Sequence, residues 1–214
     1  MSTPTVSWLD HQGLRSASAL GGAARTPSTV LLRYLLAFIA GVGAAASTTL
    51  IDLHLRLPGH AILKATLPVA LGLAVAPQRF AGLATSGGAL TGLVAFSRFF
   101  GVGAGMGATA SLLALGPILD LFLWNVRPGW MLYLRFAAAG LAANCLAFAI
   151  RGGGKAAGFD SIRMRPLDDW LTVAPITYVA FGLAAGLVSS AILFRIRRSD
   201  PKTDPRTSND LRWN

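Results

Sequence analysis

The chain has 214 residues, of which 53% are hydrophobic and only 13% charged, with 24 glycines and a mean hydropathy of +0.56. Soluble domains carry about 25% charged residues, so this balance excludes both a disordered chain and an ordinary soluble domain. The 19 Lys and Arg against 9 acidic residues, a formal +10, lie between apolar blocks. There they orient the chain and meet anionic lipid headgroups, and no nucleic-acid partner is implied.

Apolar blocks of about 16 to 24 residues predict an all-α, polytopic membrane bundle of about six transmembrane helices. Residues 1–29 are rich in Ser, Thr, Ala and Gly and lack the compact apolar core of a cleavable signal peptide, which predicts a disordered polar tail. The bundle is expected over residues 30–195 and a charged, disordered tail over 196–214. The first span runs over about 30–51, with Arg33 and Tyr34 at its interface. The polar stretch from Asp52 to His60 separates it from a short second span over about 62–77, which Pro68 kinks. Gln78 and Arg79 form a tight break before a third span over about 80–96, so these two spans form a close antiparallel hairpin if both cross, and a re-entrant pair if they do not. After Arg98 a Gly-rich stretch reads as loop, with a fourth helix from about Gly105 to Trp124. A fifth follows over 130–150, and a sixth over about 171–194 beyond the polar segment 151–170.

Six crossings put both termini on one side. With the termini inside, twelve basic residues (Arg15, Arg25, Arg33, Arg79, Arg127, Arg135 and six in the C-terminal tail) face seven outside, including Arg56, Lys64, Arg98 and four in the 151–170 loop. The asymmetry predicts cytoplasmic termini, in a bacterial inner membrane, although the basic loop opposes it and five crossings would relieve that opposition.

Ionisable groups within spans are costly in hydrocarbon and therefore informative. Asp120 and Arg135 lie at similar distances either side of the turn around Asn125–Pro128, which predicts an intramembrane ion pair. It either fixes helix register or touches a ligand in a polar cavity. Asn144 lies deeper on the fifth span and needs a hydrogen-bond partner. The polar run Thr85, Ser86, Gly87, Gly88 either lines such a cavity or permits close packing. Asp52, His54 and His60 mark a candidate site mouth at an interface, although the spacing of the histidines matches no standard metal-ligand pattern and solvated anchoring explains them too. Trp124, Trp130, Tyr133 and Trp170 fit an interfacial aromatic belt. The one cysteine, Cys145, reads as a small helix-packing residue and excludes an intrachain disulfide. GVGAGMG (101–107) lacks the preceding strand of a dinucleotide fold, and GGGKA (152–156) lacks P-loop spacing. No HExxH or GxSxG is present. No catalytic residue, metal or cofactor is expected, and the chain reads as non-enzymatic.

Small residues recur four apart at Ala40/Ala44, Gly41/Ala45, Gly72/Ala76, Gly88/Gly92, Gly103/Gly107 and Gly182/Gly186, a spacing that lets helix backbones approach closely within the bundle or against a partner. With the AxxxA of the first span, the stretch LPVALGLAVAP followed by GGALTGLVA, and the later GPILDLFLW, the region 30–195 resembles the membrane-embedded substrate-binding components of energy-coupling factor transporters. That resemblance implies that Ala40 and Ala44 form a face that docks on a transmembrane coupling subunit driven by two ATPases. It also implies a small-molecule solute held near the outer side. The cobalt and nickel branch of that family needs a histidine near a processed N-terminus, and the long polar tail here departs from that pattern. The alternatives are a structural or assembly subunit of a membrane complex and, third, a membrane enzyme acting on lipid through a cluster such as Asp52, His54 and His60.

Overall fold

The computed structural model describes residues 27–51, 58–76, 78–124, 130–158 and 167–194, with side chains from 170 onward in the last of these. They form six α-helices: α1 (Pro27–Leu50), α2 (Ala61–Val75), α3 (Ala81–Phe100), α4 (Met106–Phe122), α5 (Trp130–Ala156) and α6 (Leu167–Leu193). The expected all-α bundle is present. No strand occurs among the described residues.

Helix bounds follow local chemistry. Pro27 opens α1 at the position where its missing N–H costs nothing and its fixed φ suits the first turn. Residues 101–105 are loop, and α4 begins at Met106. Gly101, at φ 65°, ends α3 in a left-handed cap. The fifth helix runs six residues past its expected end at 150, to Ala156, and so takes up the tract from Arg151 to Lys155.

Of the six, α1, α5 and residues Trp170–Leu193 of α6 are long and apolar enough to cross a bilayer. The apolar α2 and α4 have 15 and 17 residues, which at 1.5 Å per residue makes each shorter than the ~30 Å hydrocarbon core. Aliphatic side chains such as Leu31, Leu35, Ile39, Leu90, Val94, Ile176 and Ile192 face outward, as lipid-facing residues do. The chain is an integral membrane protein.

Neighbouring helices in the ring run α1, α3, α4, α5, α6, and α2 closes it between α6 and α1 while also pressing inward on α4. Accordingly α2 is buried over most of its surface, at Ile62, Ala65, Thr66, Val69, Ala70, Leu73 and Ala74, and shows only Leu67 and Leu71 outward. The core is rich in alanine, with Phe136, Phe194, Leu112, Leu115, Leu119 and Leu132 filling the wider layers.

Glycines bring the helix backbones together. A Cβ on Gly88 would strike the Phe38 carbonyl oxygen across the α1–α3 seam, and one on Gly41 would strike the Thr85 carbonyl. Gly82 and Gly116 oppose each other between α3 and α4, as do Gly140 and Gly182 between α5 and α6, where Gly186 also abuts the Phe136 carbonyl. In lipid such contact is the main source of helix association, because apolar burial is no gain against lipid tails. Intrachain packing therefore occupies most of the small-residue stripes, whereas Gly103 meets nothing within 4 Å.

Two prolines lie inside the packed short helices, and each frees a carbonyl that would have accepted its N–H. Pro68 frees that of Lys64, and Ser47 of α1 donates its hydroxyl to this oxygen at 2.9 Å. Pro117 frees that of Leu113, and Ser86 of α3 donates to it at 2.8 Å. A backbone acceptor in hydrocarbon needs such a replacement donor. Ser86→Ala should therefore cost about 1 kcal/mol in the parent. In a Pro117→Ala background, where residue 117 regains its N–H, it should cost close to nothing. A double-mutant cycle by thermal unfolding in detergent checks this, and equal costs in both backgrounds would show that the proline is not the reason for the serine.

Candidate functional site

The polar groups of the bundle have two fates, and the more common is to complete a helix end. Helix α3 starts on Phe80, which sits in the left-handed region at φ 63° and offers no side chain to cap it. Asp120 of α4 does this instead: its two carboxylate oxygens accept the N–H groups of Gly82 at 2.9 Å and Leu83 at 2.8 Å. These are the second and third residues of α3, the two that an N-capping side chain normally serves, and a negative charge suits that end of the helix dipole. Arg135 of α5 donates to the carbonyls of Phe122 and Trp124 at the end of α4, both at 2.9 Å. Lys64 of α2 donates to those of Thr48 at 3.2 Å and Ile51 at 2.7 Å at the end of α1. Cations there complement the carbonyl end. Tyr133 donates its hydroxyl to the Phe194 carbonyl beyond α6.

This corrects the expected ion pair. Asp120 and Arg135 do lie at the same end of the bundle, yet each binds backbone and not the other. A carboxylate at an uncapped helix start and a guanidinium at a helix end each find a partial charge closer than the opposite full charge. At this end the Arg79 guanidinium also lies 4.0 Å above the Trp124 ring, and Tyr34 donates to the Arg79 carbonyl at 2.7 Å.

The expected polar cavity of Asn144, Thr85 and Ser86 is likewise not one place. Thr85 donates to the Gly82 carbonyl within its own helix, and Ser86 is spent on Leu113. Both are buried on α3, which shares no substantial contact with the α5 that carries Asn144. Ala44 is fully buried and Ala40 packs where a Cβ on Gly72 of α2 would meet it at 2.8 Å, so the chain itself covers the face assigned to partner docking. Cys145 is exposed and does not pack between helices. Of the expected site mouth, Asp52 and His54 lie outside the described residues. His60 is half-buried just before α2 and gives that helix no side-chain cap. Among the described residues no cluster of His, Cys, Asp or Glu gathers to hold a metal.

The second fate is found at the opposite end, where the 58–60 turn, the start of α4, the end of α5 and the start of α6 converge. Trp170, expected in an interfacial belt, is only 4% exposed. Its ring stacks on Phe148 at 5.2 Å, and both meet Tyr178 edge-on, at 6.2 and 5.6 Å. Glycines make room for this cluster. A Cβ on Gly59, itself at φ +83°, would press on the Tyr178 ring at 3.0 Å, and one on Gly152 would meet the Trp170 ring at 3.4 Å. A Cβ on Gly107 would meet the Tyr178 hydroxyl at 3.2 Å and the Arg151 Cδ at 3.3 Å. The Lys155 ammonium stands 6.0 Å from the Trp170 ring centre. Asn144 forms the floor, donating to the Tyr178 carbonyl at 2.7 Å and to the Gly59 carbonyl at 3.3 Å.

Within this cluster the Trp170 indole N–H is buried and has no hydrogen-bond acceptor among the described residues. Buried donors are nearly always satisfied, and an unsatisfied one costs about 1–3 kcal/mol. The sequence held one usable signal for the cluster, since Phe148, Arg151 and Lys155 recur three to four residues apart on one helix stripe, next to the Trp170–Tyr178 pair. Compared with protein-family models, with curated proteins and with solved structures, the chain matches none.

Proposed function

We propose that this membrane protein is a non-enzymatic component that binds a small solute at the aromatic end of the bundle and works with partner subunits in transport. The observation that carries the reading is the buried, acceptor-free indole N–H of Trp170, beside the basic Arg151 and Lys155 and above the fixed floor of Asn144. A donor in this setting suits a solute that brings a carbonyl or carboxylate oxygen and an apolar or planar body. With cytoplasmic termini, in a bacterial inner membrane, this end opens outward, where a capture component meets its solute. The coupling subunit and ATPases remain the partners proposed. They would dock elsewhere than on Ala40 and Ala44, which are packed within the chain.

One observation favours a second reading, a structural or assembly subunit: Asp120, Arg135, Lys64, Ser47 and Ser86 are all spent on helix backbone. Affinity purification of the tagged full chain from native membranes, with mass spectrometry of co-purifying proteins and small molecules, separates the two. Transport predicts a bound solute with ATPases, and Trp170→Phe should release the solute. That substitution removes the unpartnered donor together with part of a buried ring that stacks on Phe148, two effects of opposite sign, so the melting temperature should fall only modestly. A large complex carrying neither solute nor ATPases would replace transport with assembly.

A further inference from the structure

The outer side of α3 carries a shallow, open trough lined by Leu90, Thr91, Val94, Ala95, Arg98 and Phe99. These residues are two adjacent rows of one helix, and from Leu90 to Arg98 they extend over about 12 Å at 1.5 Å per residue. The wall is apolar, because the only hydroxyl in it, that of Thr91, is already bonded at 3.0 Å to the Gly87 carbonyl. Leu90, Val94 and Phe99 are 50%, 54% and 82% exposed. Arg98, exposed in the last turn of α3, is the one charge in the trough and stands at its end.

We infer that this trough is a binding site for a glycerophospholipid, with the phosphodiester on Arg98 and an acyl chain laid along Val94 and Leu90. Two features choose the occupant. The guanidinium is a planar donor that matches phosphate, and it lies in the last turn of α3, where a bilayer-crossing helix meets the headgroups, while Val94 and Leu90 run from it toward the middle of the helix. Charge first and hydrocarbon below is the polarity of a lipid in a leaflet. A partner helix on the same rows would have to bring an acidic residue to the level of Arg98.

The test is native mass spectrometry of the full chain released from nanodiscs of phosphatidylglycerol, with a photo-crosslinker at Val94 as a second measurement. The parent should keep one phosphatidylglycerol under activation that strips the others. Arg98→Gln should lower that retained fraction at least tenfold, as should Val94→Trp, which fills the trough. Leu35→Trp, equally exposed on α1, should not. These positions face outward, so all three variants should elute as the parent does in size exclusion. Equal retention in parent and trough variants overturns the site, as does equal retention of diacylglycerol, which lacks the phosphate. Capture of a polypeptide instead of lipid by the crosslinker overturns it in favour of a protein partner.

Discussion

Gly88→Ala should destabilise the bundle strongly while Gly87→Ala, one residue away, should stabilise it. A methyl on Gly88 points into the Phe38 carbonyl of α1, and only separation of the two backbones relieves it. Along the same seam Gly92 presses on α1 and Gly41 of α1 presses on α3, so one displaced contact loosens three. The expected loss is about 3 kcal/mol or more, at the upper end for overpacking. Around Gly87 there is open space, and a helical Gly→Ala change there should gain up to about 1 kcal/mol from the restricted unfolded chain and better helix propensity. Thermal unfolding in detergent, followed by fluorescence or size exclusion, reads both. Similar melting temperatures for the two variants would show that α1 and α3 do not meet closely.

Asp120→Ala should produce the second large effect, a loss of about 2–4 kcal/mol, because it removes both acceptors at the start of α3 together with a charge that complements the helix dipole. Asp120→Asn keeps one carbonyl oxygen and should cost about half as much. The exchange of Asp120 and Arg135 discriminates sharply. If the two formed an ion pair, the double variant would recover part of the loss. With Asp120 on α3 and Arg135 on the end of α4, it should be worse than either single variant, since each end then meets the wrong charge. Recovery in the exchange, measured as yield of monodisperse protein and melting temperature, would restore the ion pair.

The glycine prediction rests on the small-residue spacing for the reason the sequence suggested, close helix approach, whereas the second concerns groups singled out for the wrong reason. Asp120 and Arg135 were conspicuous as charges in apolar spans, and their equal distance from the 125–128 turn does place them at one end of the bundle. What the distance arithmetic omits is the backbone. Whether a carboxylate meets a guanidinium or a helix start depends on which neighbour is in contact, and α3 reaches Asp120 through the Gly82–Gly116 approach. Ser86 was polar in an apolar helix and so suggested a cavity. Its purpose is visible only once Pro117 of the adjacent helix is seen to leave Leu113 without a donor. Trp170 differs in kind, since burial and not position took it out of the belt.

The sequence by itself determined the solvent and the elements. Long apolar runs with little charge require a bilayer, runs of that length cross it as helices, and polar or Gly-rich breaks set where most of the helices stop, α5 with its Arg151–Lys155 tract excepted, because those properties depend on residues adjacent in the chain. Tertiary structure alone decided which stripe meets which. The choice of α2 as the enclosed helix, the capping of α3 by a carboxylate 38 residues away, and the gathering of Phe148, Trp170 and Tyr178 around one unpartnered N–H all depend on the order of helices around the ring. Residue spacing along one helix fixes its faces, but it carries no information about the neighbour those faces will find.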